Sequence, residues 1–292
     1  MKILNLLLVC SVSLLSVPIL SVGAEMKVVK NVTSQLTADQ IIARNVKARG
    51  GLKRWREVHT MAMSGKLDAG KVRSSNSEKA GLDHSMLRAE VRRALLERKK
   101  GETDAGTNVQ LPFVMEMQRP RKTRLEITFQ NQTAVQVFDG VNGWKLRPFL
   151  GHNDAEPFTK DETKATYQQQ DLDGPLIDYS AKGTKAKLEG TELVDDRNAY
   201  KLKLTLKDGA VRYVWVDAKT FLDVKIDGSR RLDGKPHQVL TYFRNYKSVD
   251  GLMFPFLLET RVEGVKDPEK IVIEKIVVNP KLAASRFGKP QV

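Results

Sequence analysis

Cysteine and histidine are nearly missing from this chain. It holds one cysteine, Cys10, and four histidines, His59, His84, His152 and His237, in 292 residues. A lone thiol excludes an internal disulfide framework. No histidine has a second His or Cys at metal-ligand spacing, so the sequence offers no zinc site. The G-x-S-x-G elbow and the phosphate-binding P-loop are also absent. Paired carboxylates do occur, at Asp161-Glu162 and Asp195-Asp196. Both pairs sit in polar sequence at a helix start or a turn, which reads as solvated rather than as glycosidase chemistry. The expectation is a protein without a catalytic apparatus.

Charge of one sign is also short: 35 acidic residues stand against 49 basic ones, giving +14 and a pI near 9.7. Such a balance favours nucleic acid, an anionic membrane surface or an acidic partner, or serves solubility alone. The N-terminus narrows this. Lys2 is the only charge before Glu25, and an apolar run from Ile3 to Leu20 leads to Ser21-Val22-Gly23-Ala24. This order of positive, apolar and small-residue regions reads as a signal peptide over 1–24. Val9 precedes Cys10 inside the apolar run, which argues against lipid attachment there. The expected product begins at residue 25, resides in the periplasm and meets lipid or protein rather than nucleic acid.

Thr37-Ala38-Asp39-Gln40 has capping-box spacing, Ile41, Ile42 and Val46 follow on one face, and Gly50-Gly51 ends the helix. Leu52 to Val58 adds a turn anchored by Trp55. After Gly106 the chain reads almost wholly as strand. Expected strands cover Val109–Gln118, Leu125–Phe129, Ala134–Phe138, Tyr200–Leu206, Val211–Asp217, Phe221–Ile226, Gln238–Tyr246, Phe256–Val262 and Ile271–Val278. Asp208-Gly209 reads as a two-residue hairpin turn. Helices are expected over Asp161–Leu172 and Pro175–Tyr179. Lys71 to Gly106 stands apart as an insertion into a β-hairpin, read either as a polar excursion or as a basic amphipathic helix.

Large flexible apolar side chains are in surplus. Met61 and Met63 fall on one strand, and Phe113, Met115 and Met117 share a face of the next. Methionine adapts to irregular apolar shapes, so this set reads equally as core filling or as the lining of a cavity.

Three stretches then stand in order: Arg119-Pro120 leading to Arg124-Leu125-Glu126; Asp139-Gly140 leading to Trp144 and Pro148; and Tyr246 leading to Val249-Asp250-Gly251 and Pro255. In this order they resemble the outer-membrane lipoprotein-sorting family, the LolA/LolB-like carriers, from about Thr37 to Pro280. The resemblance implies a mainly β fold: an unclosed, strongly curved antiparallel sheet, a half-barrel with helices plugging its concave face. It implies binding of lipoprotein acyl chains or another lipid, received from an inner-membrane transporter and passed to an outer-membrane acceptor, with no enzyme chemistry and no cofactor or metal. The residues expected to line the cavity are Ile41, Ile42, Met61, Met63, Phe113, Met115, Met117, Leu125, Ile127, Phe129 and Trp144. Trp144 reads alternatively as a core anchor between hairpins. The other reading of the same fold is a protein-interaction or envelope-stress-sensing module whose concave face is filled by its own side chains.

Overall fold

The structure is a computed structural model that describes residues 36–71, 108–169, 171–232 and 235–291. The expected signal peptide (1–24) and residues 72–106 of the expected insertion lie outside them. The capping box forms as its spacing predicts. Thr37 Oγ1 accepts from the Gln40 backbone N–H at 3.2 Å, and Gln40 Oε1 accepts from that of Thr37 at 2.9 Å. Helix α1 (Ala38–Ala48) follows, then α2 (Leu52–Glu57), with Gly50 and Gly51 between them at φ of 110° and 90°. Gly50 is needed for space as well as for its dihedral, because a Cβ there would lie 2.4 Å from the Gly251 carbonyl oxygen.

Thirteen strands come next. The first six are β1 (Thr60–Lys71), β2 (Asn108–Gln118), β3 (Lys122–Phe129), β4 (Gln132–Phe138), β5 (Gly143–Arg147) and β6 (His152–Pro157). Helix α3 (Lys160–Gln169) and a turn-rich segment, 171–184, lead to β7 (Lys185–Val194). The rest are β8 (Arg197–Thr205), β9 (Val211–Asp217), β10 (Asp223–Leu232), β11 (Lys235–Val249), β12 (Leu252–Val262) and β13 (Glu269–Val278). They form one sheet in the order β6-β5-β4-β3-β2-β1-β13-β12-β11-β10-β9-β8-β7, and every pairing is antiparallel. Two meanders are thus joined in the middle by β1 against β13, and the sheet stays open at β6 and β7. Segment 158–184 carries the chain from one edge to the other across the inner face.

Turn chemistry sets the registers. Gln130-Asn131, Asp195-Asp196 and Asp250-Gly251 all have φ between 48° and 75°, the left-handed pairs that two-residue hairpins require. Asp208-Gly209 belongs instead to a three-residue loop. The Leu206 N–H bonds Ala210 O at 2.8 Å and the Gly209 N–H returns to Leu206 O at 2.9 Å, so Lys207 is drawn into the turn. Pro175–Tyr179 forms turns rather than the expected helix. Gly174 and Asp178, at φ of 76° and 52°, interrupt a helical path. Strands β5, β6 and β7 were not anticipated. β6 is a polar edge, while β7 carries only a short apolar alternation, Ala186 and Leu188, which stand opposite Leu204 and Leu202 of β8.

The inner face is apolar in two patches. Trp55 of α2 lies among Met61, Phe113, Leu125, Ile127, Phe254 and their neighbours on β1–β4, β12 and β13. Ile41 and Ile42 of α1 pack on Leu202, Leu204, Val214 and Val216 of β8 and β9. Val46 touches both patches, and the crossing segment gives Leu172 and Ile177 to the first and Leu176 to the second.

Candidate functional site

Register decides which strand residues share the inner face. Across β1 and β2, Met61 stands opposite Met117, Met63 opposite Met115, Gly65 opposite Phe113 and Leu67 opposite Leu111. Across β2 and β3, Met115 faces Leu125 and Phe113 faces Ile127. Directly opposed residues point to the same side of a sheet, so this set forms one continuous surface. Gly65 makes room within it. Its Cβ would sit 2.0 Å from the Val272 carbonyl oxygen, at a bulge between β1 and β13. Most of the patch is buried, while Met63, Met115, Leu258 and Ile271 remain half-buried on it.

Of the eleven residues picked from the sequence, Met61, Met63, Phe113, Met115, Met117, Leu125, Ile127 and Phe129 meet in this patch, and Ile41 and Ile42 meet in the second. Trp144 is a correction. It pairs with Val137, on the opposite face of β4 from Ala134, and packs with Val135, Val137 and Phe287. That outer patch is covered by the turn Ala284–Phe287, whose Arg286 bonds Glu116 at 2.8 Å and Glu126 at 3.0 Å. The period of two sends Trp144 away from the helices. Glu162 is a second correction. It is buried, closes a capping box with Thr159 at the start of α3 and pairs with Lys145 at 2.6 Å, so it is not the solvated carboxylate expected.

The helices and the crossing segment form a roof held by polar contacts. Asp173, 1% exposed, accepts from Arg119 and Lys182, each at 2.6 Å. Arg119 also bonds the carbonyls of Val58 and Trp55, at 2.8 and 3.2 Å. Arg49 donates to the Asp173 carbonyl at 3.0 Å and stacks 4.5 Å over the Trp55 ring. The Trp55 indole N–H returns to Arg49 O, which also accepts from Met253 N–H on β12. Asn45 bonds Phe221 O at 2.8 Å and Asp223 Oδ1 at 3.0 Å. Burial raises the Asp223 carboxyl, and Arg49 at 3.7 Å and Asn45 only partly oppose this. Burial, and then the Asp223 charge, push the Tyr246 hydroxyl well up.

Towards solvent the roof is clasped twice more. Arg56 bonds both oxygens of Asp178, at 2.9 and 2.6 Å, and the hydrogen bond from Arg56 outweighs burial in holding that carboxyl below its usual value. Tyr179 donates to Asp39 at 2.6 Å, and its hydroxyl is pushed up to about 12, by that bond first and by burial second. Of this network the sequence marked Arg119 and Tyr246, as members of the motif stretches, and Trp55, as a helix anchor; Asn45, Arg49, Asp173 and Asp223 carried no signal, because their partners lie far along the chain.

Among the described residues, no group of three or more His, Cys, Asp or Glu could hold a metal ion, and no helix is long and apolar enough to cross a membrane. His152 sits with Glu156 on an exposed edge and His237 with a backbone carbonyl; His84 lies outside the described residues.

No protein-family profile and no curated protein sequence matches the chain. Solved structures do. A LolA-superfamily protein of Nitrosomonas europaea superposes with a TM-score of 0.50 at 13% identity, over 87% of this chain and 98% of the other. A DUF1329-family protein of Desulfovibrio piger gives 0.52 at 12% identity, over 86% and 97%. An outer membrane lipoprotein-sorting protein domain of Vibrio parahaemolyticus gives 0.47 at 9% identity, over 85% and 94%. The first two share the fold of this chain: an unclosed, mostly β, LolA-like sheet with few helices.

Proposed function

We propose that the protein is a periplasmic carrier, exported by cleavage of its first 24 residues, that takes up the acyl chains of a lipoprotein or another lipid. The observation that carries this reading is the inner face of β1–β3. Eight of the residues picked from sequence lie on the roofed side of the sheet, Ile41 and Ile42 lie in the roof itself, and Met63 and Met115 face each other on the sheet half-buried. A flexible, polarizable pair at the open part of an apolar surface suits a variable apolar guest. Burying an acyl chain contributes about 0.8 kcal/mol per CH₂, so the guest supplies the binding energy once the roof admits it. The roof is tied by ion pairs and hydrogen bonds to the sheet, and such ties open locally at modest cost. Uptake from an inner-membrane transporter and release to an outer-membrane acceptor then need only opening and closing, with no covalent step.

The experiment is uptake of a fluorescent fatty-acyl probe by the exported chain. Met115→Asp should lose uptake, because a carboxylate would have to be desolvated against the chain. Met115→Trp, which fills the space without charge, should lose it as well. Equal uptake by both variants and by wild type would contradict the site. The second reading, an interaction module, has its own supporting observation: both patches are already packed by the protein's own side chains. It predicts no uptake by wild type.

A further inference from the structure

A cleft of about 190 Å³ opens where the β2–β3 turn meets the start of the turn-rich segment 171–184. Its floor is Met117 and Leu172, both members of the apolar patch under the roof. Its rim is cationic, with Arg119, Arg121 and Lys122 set against one carboxylate, Asp171. The balance is more positive than this count suggests. Arg119 is committed to Asp173 and two carbonyls. Asp171 lies nearer to Lys182, at 3.2 Å, than to Arg121, at 3.8 Å from its Nε and beyond hydrogen-bond reach. Arg121 instead stacks 4.2 Å over the Tyr167 ring, which holds the guanidinium in place and leaves its donors free. Lys122 makes no close ion pair among the described residues, although its charge still acts on the Asp139 carboxylate. Gln118 also lines the cleft, and its buried Oε1 has no partner among the described residues. A buried amide oxygen left without a donor is costly.

Two of these features have their complement in one kind of molecule. Arg121 and Lys122, neither closely paired, ask for an anion, and the Met117–Leu172 floor asks for an apolar chain leading inward. The volume equals that of about six water molecules, enough for a head group and not for a whole lipid. We infer that this cleft holds the anionic head, carboxylate or phosphate, of a single-chain amphiphile whose tail runs over Met117 and Leu172 into the apolar patch. The inference rests on the carrier reading and adds to it the charge and position of the head group.

The test is calorimetric titration of the exported chain with twelve-carbon amphiphiles below their micelle concentrations: dodecanoate, dodecyl phosphate, neutral dodecyl maltoside and cationic dodecyltrimethylammonium. Inorganic phosphate alone is a further arm. The two anions should bind about tenfold tighter than the neutral compound, the worth of one charge-assisted hydrogen bond. Arg121→Asn with Lys122→Gln should abolish that advantage and leave the maltoside affinity unchanged. Asn suits the left-handed φ of 55° at position 121. Should the double variant fold poorly, 0.5 M NaCl on wild type reads the same term and should shrink the anionic advantage severalfold. Equal affinity for anionic and neutral chains, insensitive to variant and salt, would overturn the head-group site and leave the carrier reading intact. Inorganic phosphate binding as tightly as dodecyl phosphate would also overturn it, by reducing the cleft to an ion site. Binding of none of the amphiphiles would overturn both readings.

Discussion

Asp173→Ala is the sharpest probe of how the roof is held. The carboxylate is almost wholly buried and accepts two bonds of 2.6 Å, from Arg119 and Lys182. Breaking a fully buried ion pair by removing one partner costs about 3–5 kcal/mol. Here the two cations keep some solvent, with side chains 32% and 20% exposed, so part of their charge is rehydrated. Arg49 loses nothing, since it bonds the Asp173 backbone carbonyl. The expected loss is therefore about 2–3 kcal/mol. With a urea slope of about 3 kcal/mol/M for a chain of this size, the midpoint should fall by roughly 1 M. Asp173→Asn, which keeps an acceptor and loses the charge, should fall by less. Hydrogen exchange should localise the effect to α2 and 171–184, with the central strands little changed. A midpoint within 0.2 M of wild type would refute the reasoning and leave the roof to Leu172, Leu176 and Ile177.

Other outcomes follow from single contacts. Gly65→Ala should cost about 3 kcal/mol, the upper end for overpacking, because its Cβ would meet a backbone oxygen that cannot turn aside; urea unfolding measures this. Phe287→Ala should cost about 3–4 kcal/mol, since Phe287 seals the outer patch over Val135 and Val137; a loss below 1 kcal/mol would show that turn to be dispensable. The Asp223 carboxyl is raised by burial, so the folded state binds more protons than the unfolded one above the unfolded value near 4. Its contribution therefore worsens as pH rises through that window. Asp223→Asn should accordingly be more stable, relative to wild type, at pH 7 than at pH 4.5. The opposite trend would mean that Arg49 outweighs burial. Asp178, lowered by Arg56, works the other way, and its contribution is present above pH 4 and lost as pH falls through its folded value.

The parts of this fold legible in the sequence are those that depend on neighbours. The capping box at Thr37, the anchoring by Trp55 and the alternation along β3, β8 and β9 are local patterns, and they form where expected. The motif stretches were legible only as order along the chain. The structure shows contacts behind them: Gly140 lies against Pro120 of the β2–β3 turn, and Gly50 against the Asp250-Gly251 turn. Trp144 was misplaced because a strand of five residues carries too little alternation to fix its face. The polar edge β6 has no apolar stripe, and β7 has only Ala186 and Leu188 between charged residues, an alternation too short to mark a strand. The network of Asn45, Arg49, Asp173 and Asp223 was illegible in principle: its hydrogen bonds join residues 124 to 178 positions apart. Burial, which gives those groups their importance, is a property of the folded sheet alone.

The central claim is that the roofed apolar face receives an acyl chain. It is tested most directly by native mass spectrometry of the protein purified from its own envelope fraction, followed by lipid extraction. The account predicts a bound acylated species that is lost in Met115→Asp. A clean mass for the protein alone, with no uptake of added acyl probe, would contradict it.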